Sequence, residues 1–231
     1  MNDRRENVPF DPFYFEKLKH TGTAFDAART FRLIYEKNHW NGPDSVSGAG
    51  ASRNQTLALE TELPVLLQEL GVRHVLDLPC GDFSWMQHVA LPVSRYTGAD
   101  IVPDLVAANQ QRFGAPHRRF IRCDLTTDSL PDADLMLCRD CFVHLSFADI
   151  FRAFQNLRAS RIPHLLTTTF PACDANEDIT TGDWRVLNLK QPPFHLPPPI
   201  RLLDEQCREG EGRFSDKSLG LWRVADLPVS P

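Results

Sequence analysis

Four aspartates follow successive apolar stretches in the middle of the chain, and their spacing suggests a single site. They are Asp77, Asp100, Asp124 and Asp140. Each stands at or just beyond the end of a run that predicts a buried strand, and the carboxyl ends of parallel strands share one edge of a sheet. Asp is common in turns, yet four in succession after apolar strands are not expected by chance. We therefore expect these carboxylates to line one crevice of the kind that binds a nucleotide.

The turn after Asp77 is suited to close contact with such a ligand. Gly81 stands at its centre and allows the backbone to approach a bound molecule. The separation between Asp77 and Asp100 fits the spacing of about 20 residues between a turn of this type and an acid that binds a ribose. A nicotinamide dehydrogenase would carry G-x-G-x-x-G here, and Pro79 and Phe83 disagree with that pattern.

The elements around these residues predict an α/β fold. From residue 71 onward, apolar runs without alternation are followed by helical patterns, which is typical of a parallel sheet. The expected strands are 72–78, 94–101, 118–123, 134–138, 164–170, 200–205 and 219–225. The last two read as an antiparallel pair at the edge. We predict a Rossmann-like, seven-stranded, mostly parallel sheet with helices on both faces and a C-terminal antiparallel hairpin.

Local signals place the helices. Helical spacing of apolar residues predicts helices over 24–38 and 54–70, the second ended by Gly71, and a further helix is expected at 82–89. Pro103 and Gly114 bracket a helix over 104–113. Ser146 followed by Asp149 is a capping-box pattern that opens one more helix.

Composition limits the partners. The chain has 231 residues and a net charge of -5, so it offers no basic field for a polyanion and we expect no nucleic acid partner. No apolar run is long enough to span a bilayer and the start is not a signal peptide, which predicts a cytoplasmic protein. The six cysteines are scattered and are expected to be free thiols. Cys138 and Cys141 have C-x-x-C spacing, but no second pair completes a zinc site.

The acid and turn at 77–83 resemble motif I of the class I S-adenosylmethionine (SAM) methyltransferases, in which an acid precedes G-x-G-x-G. Pro79 and Phe83 replace the first and third glycines. The resemblance implies a SAM-dependent methyltransferase that releases S-adenosylhomocysteine. It further implies that residues 1–70 form a helical arm with a cofactor-covering segment and that residues 71–231 form the SAM-binding core. Both belong to one compact domain. The Gly- and Ser-rich segment 39–52 is read either as that cover or as a flexible linker.

The same resemblance assigns roles to individual residues. Asp77 would lie below the methionine amino group, Asp100 would bind the ribose, and Ile101 would pack on the adenine. Asp124 would accept from the adenine amine, with the backbone amide of Leu125 nearby. The complete set of candidate cofactor-binding residues is Trp40, Ser47, Asp77, Pro79, Gly81, Asp82, Phe83, Asp100, Ile101, Asp124, Leu125 and Arg139.

Asp140 and His144 are the candidate catalytic residues, because they follow the fourth strand, where the donor methyl group would emerge. A helix N-terminus just beyond His144 is expected to disfavour its cation and lower its pKa, and a neutral imidazole suits a general base. Each residue also has a structural interpretation: His144 could bond the helix start at Ser146, and Asp140 could be a structural cap or contact the N-terminal arm. Which of the two would take the proton stays open.

The chain also resembles bacterial sugar O-methyltransferases of polysaccharide assembly, of the methylmannose-polysaccharide 1-O-methyltransferase type. The resemblance is carried by residues 34–40, the Gly- and Ser-rich segment, the motif at 77–83 and the loop around Trp184. This implies a hydroxyl acceptor on a sugar or another small molecule. Polar residues beside one Trp suit a carbohydrate, although the loop is equally readable as a surface excursion. Some sugar O-methyltransferases use a divalent metal such as Mg²⁺, for which acids at 171–184 are candidates, but we assign no metal ligand.

Two other functions remain open. One is a methyltransferase for an amine or hydroxyl of another small molecule or of a protein, although residues 139–142 lack the Asn/Asp-Pro-Pro-Tyr/Phe motif of amino methyltransferases that act on bases and glutamine. The other is a SAM-binding protein without turnover. A homodimer is compatible with each of these functions.

Overall fold

The computed structural model of the chain describes residues 11–23, 25–42 and 45–230. Within these ranges seven strands form one sheet with the order β3-β2-β1-β4-β5-β7-β6. The strands are β1 His74–Asp77, β2 Arg95–Asp100, β3 Arg118–Arg122, β4 Leu135–Cys138, β5 His164–Thr169, β6 Arg201–Asp204 and β7 Ser218–Arg223. This architecture confirms the predicted Rossmann-like sheet.

The direction of the strands creates the crevice. β1 pairs in parallel with both β2 and β4, while β3 and β5 continue the parallel sheet outward. β7 lies antiparallel between β5 and β6, as predicted for the C-terminal hairpin. The chain progresses from β1 towards β3 on one side and from β4 towards β5 on the other. The crevice beyond β1 and β4 is therefore the topological switch point at which open α/β sheets bind ligands.

Helices cover both faces of the sheet. They are α1 Tyr14–His20, α2 Ala27–Lys37, α3 Arg53–Glu69, α4 Pro103–Phe113 and α5 Phe147–Ala159. Apolar residues of α3 and α4 form one core with Val75 and Leu137, and α5 forms the other core with Leu76 and Met136. Because neighbouring residues of one strand are buried on opposite faces, these strands show no polar alternation in the sequence.

Most helix boundaries agree with the local signals. The side chain of Ser146 accepts a hydrogen bond from the amide of Asp149 (3.2 Å), and Pro103 occupies the first position of α4. Gly71 follows α3 with a left-handed φ of 65°, and α3 runs through Pro64 without interruption. α2 ends at Lys37, followed by Asn38 in the left-handed conformation.

The predicted helix at 82–89 is wrong. Only a short 3₁₀ turn, Met86–His88, forms there. Phe83 has a left-handed φ of 59°, which is incompatible with a helix start, and the side chains of Phe83, Trp85 and Met86 are all buried. Tertiary packing of these large side chains fixes the segment, which keeps only a few helical hydrogen bonds, such as the one from the amide of Gln87 to the carbonyl of Phe83 (3.2 Å).

All six cysteines are free thiols, as predicted. Among the described residues, no helix combines the length and the apolar character needed to cross a membrane.

Candidate active site

A cavity lies beyond the carboxyl ends of β1 to β4, and it brings together the four aspartates that the sequence singled out. Asp77, Asp100, Asp124 and Asp140 all line it. Nine further residues of the predicted site also line it: Trp40, Ser47, Pro79, Gly81, Asp82, Ile101, Leu125, Arg139 and His144. The parallel sheet explains this convergence, because it places the ends of all four strands at one edge.

Phe83 is the exception among the predicted residues. Its side chain is fully buried and packs against the rings of Tyr96, Phe113 and Phe120, with centroid distances of 5.3, 5.1 and 5.2 Å. It does not line the cavity, so the predicted cofactor contact of this side chain is corrected. Only the left-handed backbone of Phe83 contributes to the shape of the turn.

Hydrogen bonds hold the turn after β1 against β2 and α4. The amide of Gly81 donates to Asp100 Oδ2 (3.2 Å), and Asn109 Nδ2 donates to the carbonyl of Gly81 (2.7 Å). Gly81 has a φ of 53°, and a Cβ atom on it would lie 2.1 Å from Ser47 Oγ. Glycine is required here for both reasons, the backbone conformation and the close approach of Ser47.

The described part of the Gly- and Ser-rich segment docks on this turn through Asp82. The Asp82 carboxylate accepts from Ser45 Oγ (3.0 Å) and from the amide of Val46 (3.0 Å). This contact brings Ser47 and Ala51 to the wall of the cavity. The arrangement supports the interpretation of this segment as a cover; Pro43 and Asp44 lie outside the described residues.

Burial governs the charge of the two deepest carboxylates. It raises the pKa of Asp77 to about 7, although a hydrogen bond from the Tyr96 hydroxyl opposes the shift. Burial also raises the pKa of Asp100 to about 6, against hydrogen bonds from the amides of Val102 and Gly81. A cationic group of a ligand beside these carboxylates would favour their ionised forms.

The side chain of Asp124 is oriented by its own loop. Asp124 Oδ1 accepts from the amide and from the hydroxyl of Thr126, at 2.8 and 2.7 Å. Ile101, Leu105 and Leu125 provide apolar surface in the same cavity. A planar ring could pack between these apolar side chains. An exocyclic amine on that ring could donate a hydrogen bond to Asp124.

Asp140 belongs to a buried cluster of opposite charges. Its Oδ2 lies 2.8 Å from Lys217 Nζ and 3.2 Å from Arg139 Nη1. Arg139 Nη2 also bonds Glu205 (2.6 Å) and the carbonyl of Gly50 (2.9 Å). Burial alone would raise the pKa of Asp140, but the charges of Arg139 and Lys217 outweigh it and hold the pKa well below its ordinary value. Asp140 is therefore an anion with little tendency to take up a proton.

His144 has the opposite character. Burial lowers its pKa to about 4, so the imidazole is neutral at physiological pH. The pKa of His144 is lowered, as predicted, but the main cause is burial and not the helix N-terminus. The helix α5 begins only at Phe147. His144 Nδ1 lies 3.0 Å from the carbonyl oxygen of Asp183. A carbonyl only accepts, so Nδ1 carries the hydrogen and Nε2 keeps its lone pair. The indole of Trp40 stacks on the imidazole with a centroid distance of 4.5 Å.

The acids of the loop after β5 do not gather around Asp140 and His144. Asp178 accepts from the amide of Phe147 (2.7 Å) at the start of α5. Among the described residues, no group of three or more His, Cys, Asp or Glu side chains could hold a metal ion. Since Asp140 is already bound by two cationic side chains, these residues do not fit a Mg²⁺ site.

Sequence reasoning missed the apolar wall of the cavity. Phe31, Ile34 and Tyr35 of α2 line it, together with Trp85. The amphipathic pattern of α2 indicates a buried face but not its contact with the site. Conversely, Trp184 does not line the cavity and packs on Phe214, with a centroid distance of 5.1 Å. Its predicted contact with a sugar is therefore not supported by its position.

Comparison with known proteins agrees with this site. Residues 75–162 match the family model described as "Methyltransferase domain". No curated protein matches the chain. The match covers less than half of the chain, and together with the fold it supports the predicted class, a SAM-dependent methyltransferase.

Solved structures share the fold at low sequence identity. A SAM-dependent methyltransferase from Leishmania major is 14% identical, with a TM-score of 0.61 and 90% of each chain covered. Human N-acetylserotonin methyltransferase in complex with SAM is 15% identical (TM-score 0.57); the match covers 89% of this chain but only 61% of the human chain. N-methyltransferase NodS from Bradyrhizobium japonicum WM9, in complex with S-adenosylhomocysteine, is 15% identical (TM-score 0.54), with 86% of this chain and 98% of that chain covered. These proteins act on different substrates, so the fold leaves the acceptor undetermined.

Proposed function

We propose that the protein is a SAM-dependent O-methyltransferase that methylates a hydroxyl of a sugar or oligosaccharide, with His144 as the general base. The observation that carries this proposal is the state of His144 in the cavity. Its ring is neutral, its Nδ1 is engaged by the carbonyl of Asp183, and its Nε2 retains a lone pair. An alcohol is a weak nucleophile, and a general base within hydrogen-bond reach of the hydroxyl contributes about 10²- to 10⁴-fold to the rate.

The roles of the chain's residues follow from their positions. SAM supplies an activated methyl group, and Asp77, Asp100 and Asp124 are proposed to orient it, with Ser47 and Trp40 covering it. His144 Nε2 would take the hydroxyl proton of the acceptor, whose oxygen would receive the methyl group that SAM supplies, leaving S-adenosylhomocysteine, a methyl ether and a protonated imidazole. Asp140 is the weaker candidate for the base, because Arg139 and Lys217 stabilise its anion.

The charge of the cavity supports a neutral acceptor. Five aspartates line it, and the two cations beside it, Arg139 and Lys217, are balanced by Asp140 and Glu205. A carboxylate or phosphate on the acceptor would be repelled there. The aromatic face of Trp40 next to His144 can pack on the C–H face of a sugar ring. The choice of a sugar among neutral alcohols rests on the resemblance of the sequence to sugar O-methyltransferases.

Cofactor binding is the first test. Isothermal titration with S-adenosylhomocysteine should show binding, and NAD should show none. Asp100→Asn should weaken S-adenosylhomocysteine binding by about 10- to 100-fold, because it removes hydrogen bonds to a charged group. Glu69→Gln, which changes an exposed acid of α3, is the matched control and should bind as the wild type does. Equal affinity of Asp100→Asn and the wild type would contradict the assigned cofactor site.

Turnover is the second test. Transfer of a labelled methyl group from SAM would be measured with methyl mannosides, a mannose oligosaccharide, a phenol and an aliphatic amine. We expect turnover of a mannoside hydroxyl and a 10²- to 10⁴-fold lower kcat in His144→Gln, with S-adenosylhomocysteine affinity retained. His88→Gln, at an exposed histidine, controls for the substitution itself. Turnover of the amine alone would refute the sugar acceptor, and cofactor binding with no turnover would favour a non-catalytic SAM-binding protein.

We also propose that the protein acts in the cytoplasm, because its free thiols suit a reducing compartment. We further propose that the protein forms a homodimer, and a measurement of its mass in solution would test this.

A further inference from the structure

The short turn that carries His144 is held by a second loop. Every main-chain carbonyl of residues 142–145 accepts a hydrogen bond from residues 182–185. Arg185 Nη1 donates to Phe142 (2.6 Å), the amide of Arg185 to Val143 (3.1 Å), the amide of Gly182 to His144 (2.8 Å) and Arg185 Nη2 to Leu145 (2.8 Å). Three of these four bonds come from one residue, Arg185.

The same loop holds the imidazole ring. His144 Nδ1 donates to the carbonyl of Asp183, which stands between Gly182 and Arg185. The Asp183 carboxylate in turn accepts from the amides of Phe15 (2.7 Å) and Glu16 (3.0 Å) in the first turn of α1. The backbone and the ring of His144 are thus both attached to one segment, which is itself fixed to the N-terminal helix.

Arg185 is an unusual choice for such a place. Its side chain is buried, at 7% exposure, and among the described residues no carboxylate lies within 4.0 Å of its guanidinium. The guanidinium donates to three carbonyls, those of Phe142, Leu145 and Glu177. Burial lowers the pKa of Arg185 to about 10, although the charge of Asp178 opposes the shift from beyond ion-pair distance, so Arg185 remains a cation at neutral pH. Burying a cation without a paired acid is costly.

The geometry of the guanidinium explains what this cost achieves. Its planar fork reaches the carbonyls at both ends of the turn at once, which a lysine ammonium on a flexible stem would not do with the same rigidity. Arg185 does not line the cavity, so it acts on the site only through the turn. The turn places His144 at the wall of the cavity.

We propose that Arg185 is a positioning residue that fixes the orientation and the tautomer of His144 for methyl transfer. This inference rests on the proposed role of His144 as the base. Displacement of a catalytic group by about 1 Å can cost about 10²-fold in rate, so a positioning residue outside the cavity can have a large effect on kcat.

The tautomer of His144 can be measured without any acceptor. In ¹⁵N-labelled protein at neutral pH, long-range ¹H–¹⁵N correlation spectra distinguish a neutral ring protonated at Nδ1 from one protonated at Nε2. The resonances of His144 would be identified by their loss in His144→Gln. We expect the wild type to show the Nδ1-protonated neutral form. A charged ring or an Nε2-protonated ring in the wild type would overturn the proposal, even if no Arg185 variant folds.

The variants are Arg185→Lys, Arg185→Met and the control Arg201→Met, at an exposed arginine of β6. Thermal melting and S-adenosylhomocysteine titration first select the folded variants. We expect folded Arg185 variants to bind S-adenosylhomocysteine within about 3-fold of the wild type, to show mixed His144 tautomers, and to lose about 10- to 100-fold in kcat with an unchanged KM for SAM.

The outcomes separate the two proposals. Arg185→Met with the wild-type tautomer and the wild-type kcat would overturn the positioning role. A loss of kcat together with an equal loss of S-adenosylhomocysteine affinity would also overturn it, because that pattern indicates general disruption of the fold. An unchanged kcat in His144→Gln would instead refute the proposed base, and with it the catalytic purpose of the Arg185 contacts.

Discussion

Asp77 should make the stability of the ligand-free protein depend on pH in an unusual direction. Its carboxyl group is buried at 3% exposure, at the end of β1, and accepts a hydrogen bond from the Tyr96 hydroxyl. Burial raises its pKa from 3.8 to about 7. Asp77→Asn keeps an acceptor for Tyr96 and a similar shape, but it cannot ionise.

The sign follows from proton binding. In the unfolded chain Asp77 loses its proton near pH 4, whereas in the folded chain it keeps the proton until about pH 7. Between these values the folded state binds more protons, so stability falls as the pH rises. The contribution is complete below about pH 4 and is lost above about pH 7. A shift of about three units corresponds to about 4 kcal/mol.

The assay is urea denaturation of the ligand-free wild type, Asp77→Asn and the exposed control Glu69→Gln between pH 4 and pH 8. The difference in free energy of unfolding between Asp77→Asn and the wild type should change by about 4 kcal/mol from pH 4 to pH 8. The change favours the variant, because only the wild type loses stability as Asp77 ionises. Thermal melting should report the same change as about 8 to 16 °C. Asp100 contributes in the same direction in all three proteins and cancels in the comparison, apart from its repulsion with Asp77, which Asp77→Asn removes. Parallel pH profiles of the wild type and Asp77→Asn would refute the reasoning.

Two further predictions concern the ion cluster and the turn. Asp140→Asn removes one of the two carboxylates near the buried Lys217 Nζ and should lower the free energy of unfolding by about 3 kcal/mol. Lys217→Met should cost a similar amount, and the double variant should cost clearly less than the sum in urea denaturation; simple additivity would show that the pair does not interact. Gly81→Ala places a Cβ atom 2.1 Å from Ser47 Oγ and should weaken S-adenosylhomocysteine binding at least about 10-fold by displacing the covering segment. Gly71→Ala shares the left-handed φ but meets no atom within 4 Å, so it is the matched control, and equal affinities of the two variants in titration would contradict this account.

The order of strands and helices could be predicted because it depends on local patterns. Residues such as Val75 and Leu76 are both apolar because one core lies on each face of the sheet. Asp77, Asp100, Asp124 and Asp140 could be assigned to one crevice for the same reason, since parallel strands present their carboxyl ends at one edge. The cap at Ser146 and the start at Pro103 are also local, because a few neighbouring residues satisfy the exposed amides.

The properties that decide the chemistry depend on contacts between distant residues. The low pKa of Asp140 comes from Arg139 beside it and from Lys217, which β7 brings back to the site. The neutral state of His144 comes mainly from burial, and its tautomer from Asp183. The predicted helix at 82–89 does not form, because the rings of Phe83 and Trp85 are buried in the core. Spacing along the chain determined which elements form and where the acids converge, but only the tertiary structure determined the protonation of the groups, because desolvation and Coulomb interactions act through space and not along the sequence.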